Sequence, residues 1–183
     1  MYPTVARIKD KEYELNTSFK TGLKCFDVID DPDITDQERS LAIIYLLFGF
    51  IPNEDIDLFL DRAKKFLQCG ETTEEQIEKE KDMDFIQDEK YIVASFMSDY
   101  KIDLSKEELH WWQFINLIQG LTKDSVLSNV REIRNYDLSE INDPKDKQKV
   151  IKAKEQVALK KRKSQKEAQD DLLFENLIKG KEE

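Results

Sequence analysis

Apolar side chains recur along most of this chain at helical spacing, in blocks separated by short polar breaks. The exception comes first. Over residues 4–15, Tyr13 and Leu15 alternate with Glu12 and Glu14 behind the polar break Lys9-Asp10-Lys11, which predicts a short β-hairpin lying on helices. Asn16-Thr17 then caps a first helix with Phe19, Leu23, Phe26 and Ile29 on one stripe, ended by Asp30-Asp31-Pro32-Asp33. Thr35-Asp36-Gln37-Glu38 has the spacing of a capping box. The helix it opens runs through Leu41, Ile44, Tyr45 and Phe48, is apolar nearly all round, and is placed centrally. Gly49 and Pro52 break it. A third helix follows Asn53, with Ile56, Phe59, Leu60, Ala63, Phe66 and Leu67 on its buried side and Gly70 as its stop.

Residues 71–83 are acidic and nearly free of apolar groups, reading as a mobile connection or a solvated helical extension. Phe85, Ile92, Phe96 and Tyr100 mark a fourth helix. Ser105-Lys106-Glu107-Glu108 predicts another capping box, for a helix carrying Leu109, Trp111, Trp112, Phe114, Ile115, Leu117 and Ile118 up to Gly120. No single face holds all seven, so this helix is buried on several sides. A sixth, over about 123–134, presents Val126, Val130 and Ile133. Asn142-Asp143-Pro144 starts a last helix whose pattern continues to Ile178 without another proline. Its middle, 160–171, has no strong apolar residue, so it projects into water or docks on a partner. The apolar tip beyond it either folds back on the body or stays free. The expected fold is mainly α: a compact helical body over 1–142 with an N-terminal hairpin, and a long polar C-terminal helix over 143–183.

Composition agrees with helices. Only 5 Gly and 4 Pro occur among 183 residues, too few for the turns of a β-sandwich or an α/β enzyme. The apolar fraction, 39%, supports a core, while charged residues reach 37% against a usual value of roughly 25%. The net charge of −10 argues against nucleic acid as a partner. The charge is uneven: residues 145–183 carry twelve Lys/Arg against eight Asp/Glu, which leaves −14 on the first 144. The Lys160-Lys161-Arg162-Lys163 cluster has no interleaved aromatics and reads as a solvated helix face. The longest apolar run, Leu41–Ile51, is too short for a membrane span, and Met1-Tyr2-Pro3-Thr4 lacks a signal-peptide core. The expected location is the cytoplasm.

Candidate chemistry is sparse. His110, the only histidine, has no nucleophile beside it on its helix and reads as a structural residue. Cys25 and Cys69 form no CxxC and read as reduced, half-buried thiols. The acids Asp82, Asp84, Asp88 and Glu89 allow a metal-dependent nuclease to be imagined, but their spacing is that of any helix N-terminus. Five dispersed glycines build no phosphate loop. No cofactor, metal or catalytic residue is therefore assigned. Trp111 and Trp112 point about 100° apart on a helix, so one can fill the core while the other lies near the surface. Trp111 is taken as a candidate partner contact, together with Leu172, Leu173, Phe174 and Leu177 at the C-terminal tip.

The run from Tyr91 to Leu104 followed by Leu109-His-Trp-Trp-Gln-Phe-Ile-Asn-Leu-Ile-Gln-Gly-Leu121 resembles the bacteriophage Gp15 family of long-tailed phages and prophages of Gram-positive bacteria. Tyr13 to Phe19, Phe66 to Gly70 and Ile133-Arg134 agree with it, so the likeness spans about residues 8–160. One departure is Lys101, where the family resemblance leads one to expect Gly; a Lys there implies a helix end that needs no left-handed residue. The resemblance implies a non-enzymatic protein of the tail-assembly module in the host bacterial cytoplasm. It points to a tail assembly chaperone that binds the tape-measure protein and can form homo-oligomers. A structural tail or scaffold component retained in the virion is the alternative, and a metal nuclease the remote one.

Overall fold

The computed structural model describes residues 1–70, 81–169 and 171. Among these, a two-stranded antiparallel hairpin precedes seven α-helices and one 3-10 turn. Strands β1 (Val5–Ile8) and β2 (Lys11–Glu14) pair from Val5 with Glu14 to Ile8 with Lys11, turning at Lys9 with φ 53°. The hairpin lies against α3, with Ala6 and Ile8 buried.

Helix α1 (Phe19–Ile29) is capped one residue later than the pattern predicts, by the Ser18 hydroxyl. Its neighbours are engaged elsewhere: Asn16 N–H donates to the Leu47 carbonyl, and the Thr17 carbonyl accepts from Trp111 N–H. Helix α2 (Asp36–Phe48) opens with the predicted capping box, Thr35 and Glu38 satisfying each other's backbone amides, and closes on left-handed Gly49. It packs between α1 and α3. Its burial is one-sided, through Ile43, Ile44, Leu47 and Phe48, whereas Tyr45 points outward; the all-round apolar character is thus partly surface. Helix α3 (Ile56–Leu67) buries Phe59, Ala63, Phe66 and Leu67 as expected. Ile56, its first residue, is exposed.

Residues 81–83 are docked on the body. Lys81 bridges Asp30 at 2.6 Å and Asp84 at 3.1 Å, and Met83 packs on the core. The rest of the predicted connection, 71–80, lies outside the described residues. Helix α4 (Glu89–Tyr100) ends at Lys101, which is left-handed at φ 59°, contrary to what a lysine there implies. Helix α5 (Trp111–Gln119) is capped by His110, five residues beyond the predicted cap Ser105. Ser105 turns its hydroxyl to the Asp103 carboxylate at 2.6 Å, and Glu108 pairs with Lys20 at 2.5 Å, so neither capping partner is available. The backbone of Leu109 and Trp111 pairs instead with Phe19 and Thr17. Long-range backbone pairing outcompeted a local cap.

Helix α6 (Val126–Asn135) buries Leu127 and Val130 and leaves Val126 exposed. After a 3-10 turn at Leu138–Glu140, helix α7 (Pro144–Val157) begins at the predicted proline behind the Asp143 cap and packs on α6. It stops at Ala158 rather than continuing unbroken as the pattern predicts; among the described residues, helix is found again over 165–169 and at 171. The intervening chain runs back over the body. Lys160 exchanges two hydrogen bonds with the Gln87 amide, Arg162 pairs with Asp27, and Gln165 N–H meets Asp33. Without an apolar stripe, the cationic segment is held by the acidic body instead of standing as a solvated helix.

Candidate interaction surface

Helix α5 organises the core. Its N-cap is His110, whose Nδ1 accepts Trp112 N–H at 3.0 Å. That places the ring proton on Nε2, which donates to the Pro3 carbonyl at 2.9 Å. Tyr2 stacks on the imidazole at 5.0 Å. The histidine is a capping and docking residue that ties the N-terminus to α5. The two tryptophans that follow donate their indole N–H groups to consecutive carbonyls in the last turn of α3: Trp111 to Leu67 at 3.0 Å, Trp112 to Phe66 at 2.8 Å. Both carbonyls belong to the last turn, where helical acceptors run short of donors; that of Phe66 also takes the Cys69 N–H at 3.1 Å.

Trp111 is 0% exposed and sits among Phe26, Phe85 and Phe114, with ring centroids 5.5–5.8 Å away. It has no surface to offer a partner, which corrects its placement among the contact candidates; Trp112 is the half-buried one of the pair. The other candidates, Leu172, Leu173, Phe174 and Leu177, lie outside the described residues.

The acids of the imagined nuclease have structural partners. Asp88, 0% exposed, receives a two-pronged contact from Arg134, with both Nη–Oδ distances 2.7 Å. Arg134 also donates to the carbonyls of Asp82 at 2.8 Å and Val157 at 2.6 Å. Asp84 Oδ1 accepts the N–H groups of Ile86 and Gln87. Burial pushes the Asp84 carboxyl up, but these amides and Lys81 together hold it below its usual range. Asp82 behaves alike: burial raises it, and Arg131 and Asn135 bring it down further. Among the described residues, no three His, Cys, Asp or Glu side chains gather as metal ligands would. Cys25 is fully buried, and desolvation pushes its thiol up to about 12.

Sequence reasoning missed the apolar surface itself. Between α1, α4 and the start of α5 lies a cleft of about 300 Å³, floored by Phe19, Leu23, Phe85, Ile92 and Phe114. Lys20 and Glu89 stand at its rim. At the α2–α3 corner, Phe50, Ile51, Ile56 and Leu58 are exposed. The signal was in the sequence: apolar residues crowd 50–60 beyond what one helix stripe can bury.

Residues 2–159, most of the chain, match the model of the family described as Bacteriophage Gp15 protein. The chain belongs to that family. Membership in this Gp15 family suggests a phage structural or assembly protein. No curated protein and no solved structure is matched by the chain. No helix among the described residues is long and apolar enough to cross a membrane.

Proposed function

We propose that this Gp15 protein is a tail assembly chaperone that binds the tape-measure protein in the host cytoplasm, works by protein–protein contact and makes or breaks no bond. The observation that carries the reading is the cleft between α1 and α4. Aromatic and aliphatic side chains floor it, and single charges mark its rim. Such a trough suits the apolar face of a partner helix, whose anchors would recur at i, i+3 and i+7. The exposed corner at Phe50–Leu58 adds a second apolar contact on the same body. An acidic net charge of −10 keeps such a surface soluble.

The test is co-expression with the tape-measure protein. The reading expects that partner to become soluble and to co-purify, and the chain to be absent from purified virions. Charging the cleft floor with Leu23→Glu should abolish co-purification while the helical circular dichroism remains. A tape-measure protein equally insoluble with and without the chain would overturn the reading, and recovery of the chain from virions by mass spectrometry would favour a retained tail component.

A further inference from the structure

A second groove lies on the opposite chemistry. Leu15 N–H donates to the Thr4 carbonyl at 2.9 Å, which fixes the alternation of the hairpin: Thr4, Ala6 and Ile8 turn their backbone groups toward β2, and Val5 and Arg7 turn theirs away. Of that outer edge, the Arg7 carbonyl already takes a hydrogen bond from Arg62 Nε at 2.9 Å. The edge opens on a groove of about 420 Å³ between β1, the end of α3 and α5. Its floor is apolar, from Val5, Leu15, Phe66 and the half-buried Trp112. Its walls are cationic, from Arg7, Lys9, Arg62 and Lys65. Acids stand behind these cations, with Asp55 and Glu54 at Lys9, Asp61 at Arg62 and Lys65, and Glu12 across the hairpin from Arg7, but the charged side chains that line the groove itself are all cationic, on a protein whose net charge is −10. At the mouth, Gly70 has φ 81°, and a Cβ there would stand 3.0 Å from the Trp112 ring, so glycine keeps this indole clear.

We propose that this groove binds an extended acidic peptide segment of a partner protein, added as a third strand along β1. The edge supplies main-chain hydrogen bonds through the N–H and carbonyl of Val5 and the N–H of Arg7, the Arg7 carbonyl being held by Arg62. The four cations select carboxylates, and Trp112 and Phe66 receive an apolar side chain at alternate positions. The occupant is set by charge: the charged side chains lining the groove are cations, partly offset by acids behind them, so an acidic segment meets its complement and a basic one does not. This surface is separate from the α1–α4 cleft and stands whether or not that cleft holds a tape-measure helix.

The test uses the full chain and a labelled decapeptide alternating Glu with Val or Leu, read by fluorescence anisotropy and by amide shifts of Val5 and Arg7. Three comparisons decide it: the same peptide with Lys for Glu, the acidic peptide N-methylated at alternate residues, and the chain carrying Arg7→Glu and Lys65→Glu with its melting checked. The proposal expects binding of the acidic peptide with shifts at Val5 and Arg7, weakened by salt, and at least ~10-fold loss in each comparison. No binding of the acidic peptide, equal binding of the Lys peptide, or indifference to N-methylation overturns it. So does sedimentation showing that two copies of the chain pair through this edge and exclude the peptide.

Discussion

Asp88 and Arg134, 46 residues apart in the chain, meet as a two-pronged ion pair with side-chain exposures of 0% and 10%. Through the same guanidinium, Arg134 holds the carbonyl of Asp82 and that of Val157, so one side chain joins α6, the approach to α4 and the end of α7. The Asp88 hydrogen bond leads the causes that raise the Arg134 pKa. Removing one partner leaves the other charge buried. Arg134→Leu is expected to lower stability by about 3–5 kcal/mol. The double variant Arg134→Leu, Asp88→Asn should lose less than the sum of its single changes. Urea denaturation of the four proteins checks it; strict additivity would show that the pair is not coupled.

Much of the body was legible because local and long-range preferences agree there. The Thr35 capping box, the Gly49 stop and the Asp143-Pro144 start all appear as the pattern predicts. Where they conflict, the distant partner won. Ser105 lost its capping role to Asp103, and His110, a residue no cap rule favours, took it because Leu109 and Trp111 are tied to 17–19. The Asp88–Arg134 pair carries no sequence signal at all, since ion-pair geometry has no fixed spacing. The tail was half legible: its lack of an apolar stripe and its charge difference from the body were plain, but the cationic cluster read as a solvated helix face, whereas Arg162 pairs with Asp27 and the Gln165 N–H meets Asp33.

Gly22 faces the Trp111 ring so closely that a Cβ would stand 2.1 Å from an indole carbon. In an open helix Gly22→Ala would gain up to ~1 kcal/mol of propensity. Here the ring is fully buried and cannot yield, so overpacking of about 1–3 kcal/mol or more decides the sign. A fall in melting temperature with a changed near-ultraviolet tryptophan band is expected. An unchanged or raised melting point would mean that α1 shifts freely over α5.

Lys101 occupies a left-handed cap, a conformation that costs an L-residue roughly 1–2 kcal/mol relative to glycine. Part of this is offset by the greater freedom glycine gives the unfolded chain. Lys101→Gly should therefore stabilise by about 0.5–1 kcal/mol, even though the Lys101 ammonium loses its bond to the Ser98 carbonyl. Thermal melting of this single variant suffices; destabilisation would mean that the lysine bond outweighs the backbone strain.

Acid should loosen the segment that carries Asp82 and Asp84. Unfolded, both carboxyls titrate near 3.8, and in the native protein both lie lower. Above that value both states are ionised and the contribution is complete. As pH falls below it the unfolded chain takes up protons first, and the contribution is lost on the way through the native values. Asp103, held down to about 2 by Lys106 and Ser105, adds to the same arm but sits at the surface, where solvent screens it. The urea midpoint should thus be nearly level from pH 7 to pH 5 as far as these groups decide it, then drop below about pH 4. In the variant Asp82→Asn, Asp84→Asn the midpoint should start lower at pH 7 and the acid arm should flatten in part. An acid arm as steep as that of the parent would assign the loss to other carboxyls and remove these two from the account of how residues 81–88 are fastened to α6.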